Sequence, residues 1–158
     1  MQETTCTFFG HRKITETEKL IKAVREEIEN LIVNERVDTF LFGSKSQFDS
    51  LCYDIVTEFK NEKYPHIKRI YVRAEYPYIH DNYKNLLLKS YEDTYYPEHI
   101  FGAGSAVYVE RNFEMIEKSK FCIVYFNEDD APKARKSGTK IAFDYAKQKG
   151  KTVKMITP

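Results

Sequence analysis

The strongest constraint on this chain is an alternation of two kinds of segment. Short runs of β-branched, aromatic and aliphatic residues are separated by longer stretches whose apolar residues recur at helical spacing. TCTFF (5–9), VDTFLF (37–42), IKRIYV (67–72), FCIVYF (121–126) and TVKMI (152–156) read as strands. Between the first two, Leu20, Ile21, Val24, Ile28, Leu31 and Ile32 make one stripe of a helix over about 16–33. Thr15, with Glu18 three residues on, has the pattern of a capping box at its start. Leu51, Ile55, Val56 and Phe59 mark a second helix over 47–61, with Ser44 and Ser46 as candidate caps. Further helices are expected over 82–90, 106–118 and 139–149, the last ended by Gly150 in a left-handed cap.

Strands that are nearly unbroken apolar runs belong in a sheet covered on both faces. Alternation of strand and helix makes that sheet parallel, with right-handed crossovers. The expected fold is therefore α/β, a Rossmann-like three-layer αβα sandwich around a mainly parallel five-stranded sheet. It occupies residues 1–158 as a single domain, with no repeat and no low-complexity linker. A length of 158 residues is enough for such a core.

Charge narrows the partners. The formal net charge is +1, so the chain has no basic field with which to grip a nucleic-acid backbone. No run approaches about 20 apolar residues, and no segment resembles a signal peptide. Neither a membrane nor a nucleic acid is expected as a partner. Cys6, Cys52 and Cys122 have no metal-like spacing and read as buried, reduced thiols. These features together give a cytoplasmic expectation.

In parallel α/β sheets the ligand lies beyond the carboxyl ends of the strands, near the reversal of strand order. Three loops fall there. Gly10-His11-Arg12-Lys13 follows the first strand, where a glycine admits close backbone approach and Arg12 suits a bidentate phosphate contact. Gly43-Ser44-Lys45-Ser46 follows the second and fits a phosphate or ribose contact. Lys136-Ser137-Gly138-Thr139 opens the last helix, where amides and two hydroxyls suit an anion. Neither the P-loop pattern nor the G-x-G-x-x-G fingerprint occurs.

FFGHRK, LFGSKSQFDSL, and ERNFEMIEKSKFCIVYFN followed by KSGTKIAFDYAKQKGKTVKMI resemble the SLOG superfamily, named for the SMF/DprA and LOG proteins, and most of all its small YspA/YpsA-like branch. The resemblance covers nearly the whole chain, except a tyrosine-rich insertion at about 76–104. It implies a Rossmann-like fold, nucleotide or nucleotide-sugar ligands and self-association. Some members cleave the N-glycosidic bond of nucleoside monophosphates, and others are regarded as sensors of nucleotide signals, several in bacterial antiviral systems. Carried over, Gly10, Arg12, Gly43, Ser44, Gly138 and Thr139 would line the phosphate and ribose site. His11, Lys45 and Ser137 lie in the same loops and join them as candidate contacts. Glu110 and Arg111 match the family's helix start before the fourth strand, and Arg111 is a further ligand candidate.

Two positions depart from the family. Where the hydrolases carry a glutamate three residues after Gly-Thr, this chain has Ala142. Gln47 replaces the second glycine of the Gly-x-x-x-Gly-x-Asp pattern, ahead of Phe48 and Asp49. A carboxylate is needed to stabilise an oxocarbenium-like transition state or to activate water, and Ala142 does neither. The leading expectation is thus a binding protein for a nucleotide derivative such as ADP-ribose, cyclic ADP-ribose, NAD or AMP, acting as sensor or sequestering protein. A second is a nucleotide N-glycosidase using a relocated carboxylate: Glu75, which is best placed, Glu110 or Asp144. A third is a protein-contact inhibitor in phage–host conflict.

Twelve of the 158 residues are tyrosine. Tyr76, Tyr78, Tyr95 and Tyr96 fit three roles equally: a lid that stacks on a base, a subunit interface or the edge of the core. No histidine pair has metal-ligand spacing, and Glu128-Asp129-Asp130 reads as a solvated loop. No metal and no cofactor are expected.

Overall fold

The structure, a computed structural model, describes residues 2–127 and 138–158. After a short 3-10 turn, the chain runs β1 (Thr5–Phe9), α1 (Glu18–Asn34), β2 (Thr39–Phe42), α2 (Gln47–Glu62), β3 (Lys68–Val72), α3 (Asp81–Leu87), β4 (Asp93–Tyr95), α4 (Ala106–Glu117), β5 (Phe121–Tyr125), α5 (Gly138–Gln148) and β6 (Thr152–Ile156). The strands form one sheet in the order β4-β3-β2-β1-β5-β6, and every neighbouring pair is parallel. The α/β sandwich is therefore as expected, with a correction to its sheet, which has six strands rather than five.

The extra strand is β4, inside the tyrosine-rich stretch. It has three residues, of which only Thr94 is buried, so no apolar run announces it. Its anchors are polar. The Glu92 carboxylate accepts from the Arg69 backbone N–H (2.8 Å), from Nε (3.0 Å) and from Nη2 (2.7 Å). Thr94 Oγ1 donates to the Tyr71 carbonyl at 2.8 Å. Shortness and side-chain anchoring suit an edge strand. The stretch is thus a helix–strand unit that extends the sheet.

β1 and β5 are buried at every position, as a sheet with two covered faces requires, and only Thr5 and Thr7 of β1 are polar. One face packs Phe8, Phe40 and Ile123 against Val24 and Ile28 of α1 and Ile55 and Val56 of α2. The other packs Phe9, Leu41 and Val124 against Met115 of α4 and Ala142 and Ala146 of α5. All three cysteines are buried and unpaired.

Helix ends are set by local chemistry. The cap of α1 is Thr17 rather than Thr15: its side chain accepts from the Leu20 N–H at 3.1 Å. Ser46 caps α2 by accepting from the Asp49 N–H at 3.0 Å. Gly150 closes α5 at φ +71°, the left-handed end expected of it. No described helix is long and apolar enough to cross a membrane.

Candidate functional site

Because all six strands point the same way, their carboxyl ends share one edge of the sheet. Strand order reverses between β1 and β5, since β1 leads outward to β2, β3 and β4 and the chain then returns to β5 and β6. The β1, β2 and β3 ends and the start of α5 bring Gly10, His11, Arg12, Gly43, Ser44, Lys45, Glu75, Gly138 and Thr139 to this edge. Ser137 and Lys136, with Glu128-Asp129-Asp130, lie outside the described residues.

The two glycines after β1 and β2 are shaped by the protein's own side chains. A Cβ on Gly10 would run into the ring of Phe48, which is fully buried in the first turn of α2. A Cβ on Gly43 would lie 2.9 Å from Arg111 Nε and 2.9 Å from Met115 Sδ. Gly10 therefore lets α2 pack against the β1 end, and Gly43 makes room for a guanidinium.

His11 is also internal. Its Nε2 accepts the Asn127 backbone N–H at 2.9 Å, and its ring lies 5.1 Å from Phe126 and 5.9 Å from Tyr125. The bond ties the loop after β1 to the end of β5, across the reversal point. Arg12 and Lys45 are exposed beside it. The Arg12 carbonyl accepts the Gln47 N–H at 2.9 Å, and Gln47 Oε1 accepts the Ile14 N–H at 2.7 Å. Gln47 therefore stitches the β1 loop to the start of α2. A shallow hollow lined by Ile14, Glu16, Gln47 and Ser50 lies beside this seam.

The start of α2 has few amides to offer an anion. The Gln47 N–H is held by Arg12 and the Asp49 N–H by Ser46. Ser44 Oγ is engaged locally, donating to Ser46 Oγ (2.9 Å) and accepting from the Ser46 N–H (3.2 Å). An acidic side chain, Asp49, already sits in this first turn. The start of α5 differs: Gly138 is exposed, with no atom of the described residues within 4 Å of the place a Cβ would occupy, and Thr139 beside it is buried.

Arg111 reaches this edge from α4. It is 5% exposed; its Nη1 donates to the Gly43 carbonyl at 2.7 Å, and its Nε and Nη2 donate to Asn112 Oδ1 at 3.3 and 3.2 Å. The Tyr108 ring lies 5.7 Å from the guanidinium carbon, and the Tyr108 hydroxyl donates to Glu75. Burial lowers the Arg111 pKa, against the pull of Tyr71, Asp49 and Glu75. Asp49 is equally covered. Burial pushes its carboxyl up to about 8, although the Arg111 charge and a Gly43 N–H bond act to lower it.

The candidate carboxylates sit in different surroundings. Glu75 is exposed and joined to Tyr108. Glu110 accepts the Gly102 N–H with both oxygens, at 2.9 and 3.1 Å, and so anchors the loop before α4. Asp144 pairs with Lys140 at 3.0 Å on the exposed side of α5. Ala142 is 1% exposed within the apolar cluster of Phe9, Met115 and Val124, so a carboxylate there would be desolvated.

No protein-family model matches this chain, and no curated protein matches it.

Asp49 is the residue that sequence reasoning passed over. It stood in the motif as part of a pattern, with no role. Its signal was an acidic side chain on the apolar side of α2, between Phe48 and the Leu51, Cys52 and Ile55 positions. Tyr71, Tyr91 and Tyr108 were likewise unassigned. Tyr91 packs with tilted rings against Tyr53 and Tyr71 at centroid distances of 5.1 and 5.3 Å, which puts part of the aromatic excess in the core edge. Tyr78, 93% exposed, and Tyr76 lie outside it.

Proposed function

We propose that this chain is a SLOG-like binding protein for a nucleotide-derived ligand of the ADP-ribose, cyclic ADP-ribose, NAD or AMP type, held over the carboxyl edge of the sheet. The observation that carries the reading is the contrast between the helix starts at that edge. The first turn of α2 is closed by Arg12, Ser46 and its own Asp49, whereas α5 opens on an exposed glycine. Phosphates then belong at α5, with Arg12 as their counter-charge, and the nucleoside belongs towards β2 and β3. Binding without turnover is favoured because position 142 is a packed core alanine.

Arg12→Ala removes an exposed cation, and Gly138→Val places a branched side chain at the helix start, where it meets none of the described residues. Each is expected to lower affinity for AMP or ADP-ribose by about tenfold or more while leaving the melting temperature nearly unchanged. Unchanged affinity in both would contradict the proposed site.

The Glu75–Tyr108 bond favours a second reading, an N-glycosidase in which Glu75 is the relocated carboxylate. Under that reading Glu75→Gln abolishes release of free base and leaves binding intact. A role in phage–host conflict is compatible with ligand sequestration. Self-association belongs to the same proposal, through the exposed Tyr76, Tyr78, Leu86 and Phe101.

A further inference from the structure

Asp49 and Arg111 leave a hydrogen-bond account unbalanced. Asp49 is 5% exposed, and its Oδ1 has no hydrogen-bond partner among the described residues. Arg111 is buried to the same extent, and the Gly43 carbonyl and Asn112 Oδ1 take three of its N–H groups. A guanidinium has about five, so one on each terminal nitrogen remains. Both residues adjoin Gly43, yet among the described residues no ion pair joins them. A buried acceptor left unmet costs about 1–3 kcal/mol. Closing the ion pair would relieve it, but Arg111 is tethered to Gly43 and Asn112 instead.

We propose that Asp49 and Arg111 form a subsite for a vicinal diol, the 2′,3′-hydroxyl pair of a ribose. One hydroxyl donates to Asp49 Oδ1 while the other accepts from the Arg111 guanidinium. The inference rests on the nucleotide reading above and names the part of the ligand held beside β2. A hydroxyl pair both donates and accepts, which matches an acceptor and a donor set side by side. The Ser44 hydroxyl donates its hydrogen to Ser46, so it has no donor left for a ribose oxygen. Tyr108 lies over the guanidinium and is held to Glu75. Gly43 lets the Arg111 guanidinium lie against the backbone, because a Cβ there would press on Arg111 Nε.

The test is calorimetric titration of AMP and ADP-ribose against their 2′-deoxy and 3′-deoxy counterparts, with wild type and Asp49→Ala. Wild type is expected to prefer the ribo forms by at least about tenfold, the effect of losing one buried charged hydrogen bond. In Asp49→Ala the preference over one of the two deoxy forms, the one lacking the hydroxyl that meets Asp49, falls to about one, while the preference over the other, held by Arg111, persists. Equal affinity of wild type for ribo and deoxy forms overturns the diol subsite and leaves the nucleotide reading standing. Preferences over both deoxy forms that survive in Asp49→Ala overturn it as well. Wild type that binds neither form overturns the nucleotide reading and this inference together. The wild-type comparison needs no variant, so it decides even if Asp49→Ala does not fold.

Discussion

A carboxyl group that is nearly fully covered, and short of one hydrogen bond, weakens the fold that keeps it. Asp49 has a folded-state value of about 8 against an ordinary 3.8. The native state thus holds this proton more tightly than the unfolded chain does. Its contribution to stability is fully present below about pH 4 and is lost as pH rises to about 8. Arg111, Tyr71, Tyr91 and Cys52 are the titratable groups around it. Urea unfolding at about pH 5 and about pH 8 should show Asp49→Asn losing less stability with rising pH than wild type does. Parallel pH profiles for the two proteins would contradict the burial argument. Gly10 makes the opposite kind of prediction. Gly10→Ala drives a methyl into the Phe48 ring and should lower unfolding free energy by about 1–3 kcal/mol or more at any pH. An unchanged denaturation midpoint would mean that α2 shifts freely, which its buried Phe48 and Cys52 argue against.

Among the elements, β4 depends on side chains more than on apolar burial. Burial raises the Glu92 pKa, but the hydrogen bonds and charge of Arg69 outweigh this, and the net shift is downward. The Arg69–Glu92 link therefore stabilises above the ordinary carboxylate range and is lost as pH falls through the depressed value. The pair is partly exposed, so Glu92→Gln should cost about 1 kcal/mol and speed amide exchange in β4 before β1 or β5. Uniform exchange across the sheet would contradict that order. The same contrast explains what could be read from the sequence. β1, β5 and the stripes of α1 and α2 were legible because burial is written into their residue types. β4 was not, since a three-residue strand held by Glu92 and Thr94 carries no periodic signal. The glycine loops were placed on the right edge, but their neighbours were hidden. Nothing local to Gly10 or Gly43 points to Phe48 or Arg111, which come from distant elements. The cap at Thr17 was missed because Thr15 offered the same chemistry two residues earlier.

At the scale of the whole molecule, six parallel strands collect every strand end on one edge, and that edge carries the proposed ligand. The tyrosines divide by position, with Tyr53, Tyr71 and Tyr91 packed together and Tyr76 and Tyr78 facing solvent. If the outer set is a subunit contact, light scattering gives a dimer mass for wild type and a monomer mass for Tyr78→Ser. A single monomeric mass for wild type at high concentration would contradict it. The most direct test of the central claim is to incubate the purified protein with AMP, NAD, ADP-ribose and cyclic ADP-ribose, remove free ligand, denature, and identify what is released by mass spectrometry. The account predicts an intact nucleotide retained by wild type and lost in Arg12→Ala. Free base and ribose phosphate accumulating beyond the amount of protein, or no retained nucleotide at all, would contradict it.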